Sequence, residues 1–314
     1  VVKILWVSAH PEPRSLTGAL RAEGLRTLAE AGHEHRESDL YAMGFDPVVR
    51  GSDYPAEPAG ARLDVAGASR RAYDSGTLPA EIRAEQDKLR WADTVVVQFP
   101  LWWYGMPAIL KGWFDRVFVK GFGYGVTDPA TGRTRRYGDG TLAGRRALAV
   151  VTVGARGPSL GPRGIHGELT DTLFGLLHGT FFYTGMRVLP PLLLDGANRV
   201  SARRYDAMRA ELADRLRSLA DTPPLPYRPE AGGDYDADLV LRADLAPGRT
   251  GLAVHRATPD HPVPRRGTPD GPTRDRGTGA PAGPGRPIVE PESADLPGAG
   301  PATRRDAARF AGCR

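Results

Sequence analysis

Thr94-Val95-Val96-Val97-Gln98-Phe99, halted at Pro100, is the stretch on which the fold turns. It is rich in β-branched residues, and a run this apolar with one polar position inside suits a central strand covered on both faces. Such strands belong to parallel sheets, whose neighbours must be joined by crossover connections.

The same rhythm recurs on either side. Residues 1–9 are an apolar run ending in Ser8-Ala9-His10-Pro11, and Ser15-Leu16-Thr17-Gly18 then opens a helical stretch closed by Gly32. Residues 33–37 read as a short second strand. Ser38-Asp39-Leu40-Tyr41 follows and leads into an irregular stretch rich in Pro, Gly and Asp. Residues 81–91 read as a helix, and Pro107 starts another that runs to Phe114 and Phe118, with proline in the favoured first turn. Residues 146–153 form a buried strand, 169–179 a helix, 186–194 a fifth strand and 201–219 a last amphipathic helix. The expectation is an α/β fold: a doubly wound, five-stranded parallel sheet in the order 2-1-3-4-5, with helices on both faces. Ligands bind such sheets beyond the carboxyl ends of the strands, near the switch point beside strands 1 and 3. The segments after Val7, Phe99 and Val153 are therefore the ones to question.

The sheet-and-helix domain is expected over residues 1–222, ended by Thr222-Pro223-Pro224-Leu225-Pro226. Residues 223–257 read as an extension of weak periodicity that packs on the domain or on a dimer partner. Residues 258–314, rich in Pro, Gly and Arg, read as a disordered tail, because few large apolar residues are there to offset its ordering entropy.

Charge excludes little by itself. The net charge is +5, but among 42 basic residues the only lysines are Lys3, Lys88, Lys111 and Lys120. The arginines alternate with acids, as in Arg203, Arg204, Asp206, Arg209, Glu211, Asp214 and Arg215, which is a solvated helix face rather than a phosphate-tracking stripe. No nucleic-acid partner is expected. The single cysteine, Cys313, allows no intramolecular disulfide and no cysteine metal cluster, so no metal site is expected and a reducing cytoplasm fits. No stretch approaches the roughly 18 apolar residues of a membrane span, and the reading is a soluble cytoplasmic protein.

Four segments carry possible chemistry. Residues 9–18 have neither a Walker pattern nor GxGxxG. They do offer a helix N-terminus, the hydroxyls of Ser15 and Thr17, the His10 imidazole and the Arg14 guanidinium, which suit a phosphate or pyrophosphate. Ser15 as a plain helix cap and His10 as a satisfied loop histidine is the competing reading. Pro100-Leu101-Trp102-Trp103-Tyr104-Gly105-Met106-Pro107 sets three consecutive aromatics beyond a central strand, where a planar ring could stack; core filling or a subunit interface would also use them. Thr152-Val153-Gly154-Ala155-Arg156-Gly157 is a small-residue turn that lets backbone N–H groups approach a flat ring. Gly164-Ile165-His166-Gly167 places a histidine ahead of a helix, where it can stabilise an anion or pass a proton.

Taken with Ser38-Asp39-Leu40-Tyr41-Ala42-Met43, Gln98-Phe99-Pro100-Leu101, Trp103 and residues 107–118, these segments resemble the NAD(P)H:quinone oxidoreductases, or DT-diaphorases, and their bacterial long-form relatives. The resemblance runs from Val2 to about Arg256 and includes Asp234-Tyr235-Asp236 and Gly251-Leu252. It implies a flavodoxin-like, FAD-dependent homodimer with active sites at the interface, FAD being favoured over FMN. It implies NADPH or NADH as co-substrate and a small aromatic or quinone substrate, the two sharing one pocket in turn in a ping-pong cycle. By position it places His10, Ser15, Leu16 and Thr17 at the pyrophosphate and adenosine side. Pro100, Leu101, Trp103 and Tyr104 fall along the isoalloxazine, and Thr152, Val153, Gly154 and Ala155 at its pyrimidine edge. Tyr104, Tyr124, Tyr183 and His166 would line the substrate pocket, with His166 and Tyr124 as candidate catalytic residues.

One departure stands out. Relatives commonly assign charge stabilisation to a Tyr/His pair; His166 fits the histidine, but six residues earlier the chain has Leu160. Tyr124, Arg156, Arg163 or water are the candidates to replace the phenol. The alternatives are an azo- or nitro-reductase, a dedicated reductase of one aromatic metabolite, and a flavin-bound regulatory subunit without significant turnover.

Overall fold

The computed structural model describes residues 1–58 and 60–257. Six parallel-paired strands form the sheet: β1 (Lys3–Ser8), β2 (Glu34–Asp39), β3 (Thr94–Pro100), β4 (Arg146–Thr152), β5 (Arg187–Val188) and β6 (Leu192–Leu194). Their order is β2-β1-β3-β4-β5, as expected, with β6 also paired to β4. β3 is buried along its whole length, and its partners align Ser8 with Gln98 and Pro100 with Thr152, so the strand ends that carry the loops finish close together.

Alternation along the strands divides the core in two. Leu5, Val7, Val95, Val97 and Phe99 point to one face, packed beneath α3 (Ala80–Trp91) and α4 (Ala108–Val117). Ile4, Trp6, Val96, Leu148 and Val150 point to the other, where they meet Leu20 and Leu28 of α1 (Leu16–Glu30) and Met208, Leu212 and Leu216 of the last helix, Ala202–Arg217. Each such fully buried side chain contributes about 1.5–3 kcal/mol. The polar side chain in the middle of β3, Gln98, is fully buried and bonded at both ends: Trp6 Nε1 donates to its Oε1 at 3.0 Å, and its Nε2 donates to the Thr17 carbonyl at 2.9 Å. The start of α1 is thereby fastened to the central strand.

Four expectations need correction. The stretch read as irregular contains a helix, α2 (Val65–Ser75), capped by Asp64, whose carboxylate accepts from Gly67 N at 3.1 Å, and ended at Gly76 with φ of 70°. The expected helix over 169–179 is instead a broken series, α5 (Leu169–Thr172), α6 (Phe174–Leu176) and a π-helical segment Leu177–Phe182. The widened turn leaves carbonyls for side chains to satisfy, and Thr180 Oγ1 donates to Gly175 O at 3.0 Å. The fifth strand is split because Pro190-Pro191 has no N–H groups to continue the ladder, so β5 and β6 are two short pieces. Pro107 itself is non-helical, at φ −54° and ψ 147°, and stands just before α4 rather than in its first turn.

Residues 225–257 wrap the end of the sheet. Leu225 N donates to Val188 O at 2.7 Å, and Tyr227 packs against Phe174, His178 and Phe182. The tail expected over 258–314 lies outside the described residues. Among the described residues, no helix is long and apolar enough to cross a membrane, and no group of three His, Cys, Asp or Glu side chains is arranged to hold a metal ion.

Candidate active site

Three cavities adjoin, two at the carboxyl ends of the strands and a third running from the loop after β3 between α4 and the π-helical segment. The first, of about 280 Å³, is lined by His10, Ser15, Leu16 and Thr17, by Pro100, Leu101 and Trp102, by Thr152, Val153 and Gly154, and by Ala197 and Asn198. The second, of about 200 Å³, shares Leu101 and Val153 with it and adds Trp103, Tyr104, Ala155, Leu160 and His166. The third, a groove of about 640 Å³, shares Tyr104 and is lined further by Tyr124 and Tyr183 among others. All the residues expected to bind cofactor or substrate lie along this one line of cavities.

The first cavity is polar for identifiable reasons. Ser15 caps α1, its Oγ accepting from Gly18 N at 3.1 Å, so the first-turn N–H groups of Leu16 and Thr17 have no intrahelical acceptor. His10 Nδ1 lies 3.0 Å from both the backbone N and O of Glu12, which fixes the ring in place and leaves its Nε2 edge toward the cavity. The hydroxyls of Thr17 and Thr152 are buried and bonded to each other at 2.8 Å, so these two threonines hold α1 to β4 and offer a ligand their backbone rather than their side chains. Asn198 packs against Gly154: a Cβ there would stand 2.4 Å from Asn198 Nδ2 and would have to displace that side chain. Asn198 and Ala197 were not expected from sequence, and in Asn198 only its place after the last strand hinted at it; Trp102 was expected only as one of three aromatics on which a ring could stack.

The second cavity is bounded by two loops. Trp102 and Gly105 exchange backbone hydrogen bonds of 3.0 Å each, closing a tight turn whose tip is Trp103 and Tyr104. Among the described residues, the N–H groups of Trp103, Tyr104, Gly154 and Ala155 have no intramolecular acceptor, so two loops present unused donors along one opening. The His166 loop is anchored by Asp195, whose carboxylate accepts from Gly157 N at 2.6 Å and pairs with Arg204. The Gly157 N–H, then Arg204, hold the Asp195 carboxyl below its ordinary value against the opposing effect of burial. Leu160 is buried and gives an apolar wall. The group hydrogen-bonded to His166 is Tyr104, with Oη 2.8 Å from Nδ1; Tyr124, Arg156 and Arg163 make no such bond among the described residues.

Comparison with known proteins bears on this arrangement. A family model described as a flavodoxin-like fold matches residues 2–218. The ribosyldihydronicotinamide dehydrogenase-like protein traD of Penicillium crustosum is 45% identical over 260 residues, covering 82% of this chain and 96% of the relative. NAD(P)H dehydrogenase [quinone] 1 of Rattus norvegicus is 33% identical over 248 residues, covering 78% and 88%. The chain belongs to the NAD(P)H:quinone oxidoreductase family. A Klebsiella pneumoniae structure provisionally assigned as a quinone reductase superposes with a TM-score of 0.79 at 47% identity, covering 82% of this chain and 100% of its own. Within the family fold, the strand-end cavities described above are where a ligand is expected.

A second aromatic cluster was not foreseen. His178 stacks on Phe174 at 4.5 Å and on Tyr137 at 4.9 Å, and with Tyr235, His255 and Arg228 it lines a cavity of about 240 Å³ under the C-terminal extension. Burial, followed by the nearby His255, lowers the His178 pKa to about 4.

Proposed function

We propose that the protein is an FAD-dependent homodimeric enzyme that oxidises NADPH or NADH and reduces quinone-type acceptors in the cytoplasm by a ping-pong cycle. The observation that carries this reading is the line of three cavities, polar beside α1 and aromatic at the far end, with unused backbone donors between. That donor set fits a dinucleotide-linked ring: the His10 imidazole, Ser15 and the first-turn N–H groups of α1 suit a pyrophosphate, while the N–H groups of Gly154, Ala155, Trp103 and Tyr104 suit the polar edges of a flat heterocycle. Pro100, Leu101, Trp103 and Tyr104 would wall its face, and Thr152 and Val153 would set the floor beside Gly154. Bound flavin supplies the chemistry, accepting a hydride from the nicotinamide and yielding two electrons to the quinone.

The chain's own residues do the rest. Tyr104, Tyr124 and Tyr183 form an aromatic groove in which flat substrates stack in turn. His166 stands where negative charge develops and stabilises it, and the free loop N–H groups act in the same sense. Residues 1–222 form the cofactor-binding domain, and 223–257 support the aromatic end of the groove.

Steady-state oxidation of NADPH and NADH with menadione, an azo dye and a nitroarene tests the acceptor class, alongside mass identification of the extracted cofactor. Menadione is expected to be the best acceptor and FAD the cofactor. Quinones as the poorest of the three acceptors, or FMN alone in the extract, would contradict the respective parts.

A further inference from the structure

Leu160 closes the short helical turn Gly157–Leu160, is 4% exposed, and faces the same small cavity as His166, so the position six residues before the histidine is an apolar wall. A phenol nevertheless reaches His166 from a different loop. Tyr104 Oη lies 2.8 Å from His166 Nδ1, with the rings 5.7 Å apart and inclined at 56°.

The backbone is strained where this contact is made. Trp103 and Tyr104 have φ of 48° and 61°, two consecutive left-handed residues at the tip of the Trp102–Gly105 turn. Turns with two such central residues favour Asn-Gly, and a bulky residue held there costs of order 1–3 kcal/mol. An Asn-Gly tip would close the same turn more cheaply. What Trp-Tyr adds is two side chains thrown outward, one of which lands on His166.

We infer that Tyr104 replaces the phenol missing at Leu160 and forms with His166 the proton-sharing pair of the active site, an inference that rests on the quinone reductase reading. Tyr104 acts through the imidazole and is a positioning residue. With its O–H donating to Nδ1, the imidazole carries its own proton on Nε2. A proton leaving Nε2 for an oxygen anion of the reduced acceptor is matched by transfer of the phenol proton to Nδ1, leaving a neutral imidazole and a Tyr104 phenolate. Solvent then returns the proton to the phenolate. The net step moves one proton from solvent to acceptor and no electrons.

The test compares the wild-type protein with Tyr104→Phe, Leu160→Tyr and the double variant. Phenylalanine keeps the ring and the turn and removes only the hydroxyl. ¹⁵N NMR of the His166 ring needs no turnover: Tyr104→Phe is expected to shift the Nδ1 resonance and mix the two tautomers. With menadione, kcat is expected to fall about 10- to 100-fold with KM little changed, and the double variant to recover most of it. An unchanged Nδ1 resonance, or an unchanged kcat in Tyr104→Phe, would overturn the inference. A wild-type protein that binds flavin but reduces no quinone would instead overturn the functional reading, while the NMR comparison would still decide the pair.

Discussion

Gly164 shows how finely His166 is placed. His166 N donates to Ser159 O at 3.0 Å, and a Cβ on Gly164 would stand 2.1 Å from that same oxygen. Gly164→Ala must push the loop apart. It is expected to lower stability by about 1–3 kcal/mol and to reduce quinone turnover while leaving flavin bound, checked by thermal melting, turnover and the flavin absorbance. An unaltered melting temperature together with full turnover would show that the loop tolerates displacement. Much of the candidate site's lining was legible residue by residue, because His10, Leu101, Gly154 and their neighbours follow directly after recognisable strands. The tie between Tyr104 and His166 was not, since it spans 62 residues and is made by two loops whose geometry no local pattern encodes. The fate of Thr17 was hidden for the same reason: its hydroxyl meets Thr152, 135 residues away.

Elements were legible where periodicity was strong. β1, β3 and β4 announce themselves as strongly apolar runs, and the amphipathic last helix by its spacing. α2 was missed because it buries only Ala68, Ser69 and Ala72, too little to make an apolar stripe, although Asp64 and Gly76 mark its ends. The break between β5 and β6 could have been read from Pro190-Pro191, whereas the π-helical segment depends on packing that sequence does not display. That segment also holds His178, which supplies a pH test. Its pKa is lowered from 6.5 to about 4, so between those values the unfolded chain binds more protons than the folded one. Stability is therefore fully present above about pH 6.5 and is lost as pH falls toward 4, by up to about 3 kcal/mol. His255, lowered by burial and by Arg228, adds to the same trend. Melting curves at pH 7.5 and pH 5 are expected to differ less in His178→Phe than in the wild type, and equal differences would remove His178 as a cause.

At the scale of the whole molecule, the aromatic end of the site is conspicuously open. Trp103 is 98% and Ile165 91% exposed, on the two loops that Tyr104 and His166 join, beside the groove lined by Tyr124 and Tyr183. Exposed large apolar side chains clustered in this way mark an interaction surface. A second copy of the chain is the occupant consistent with the proposed homodimer. Sedimentation is expected to give about twice the 33.8 kDa chain mass, and Ile165→Arg to shift the balance toward single chains. A single-chain mass at every concentration would contradict the shared site.

The most direct measurement of the central claim is an anaerobic titration of the purified protein, followed by absorbance. The expected result is a flavin spectrum that one equivalent of NADPH or NADH per site bleaches and one equivalent of menadione restores. A colourless protein that no added flavin reconstitutes, or a bound flavin that neither nucleotide bleaches, would contradict it.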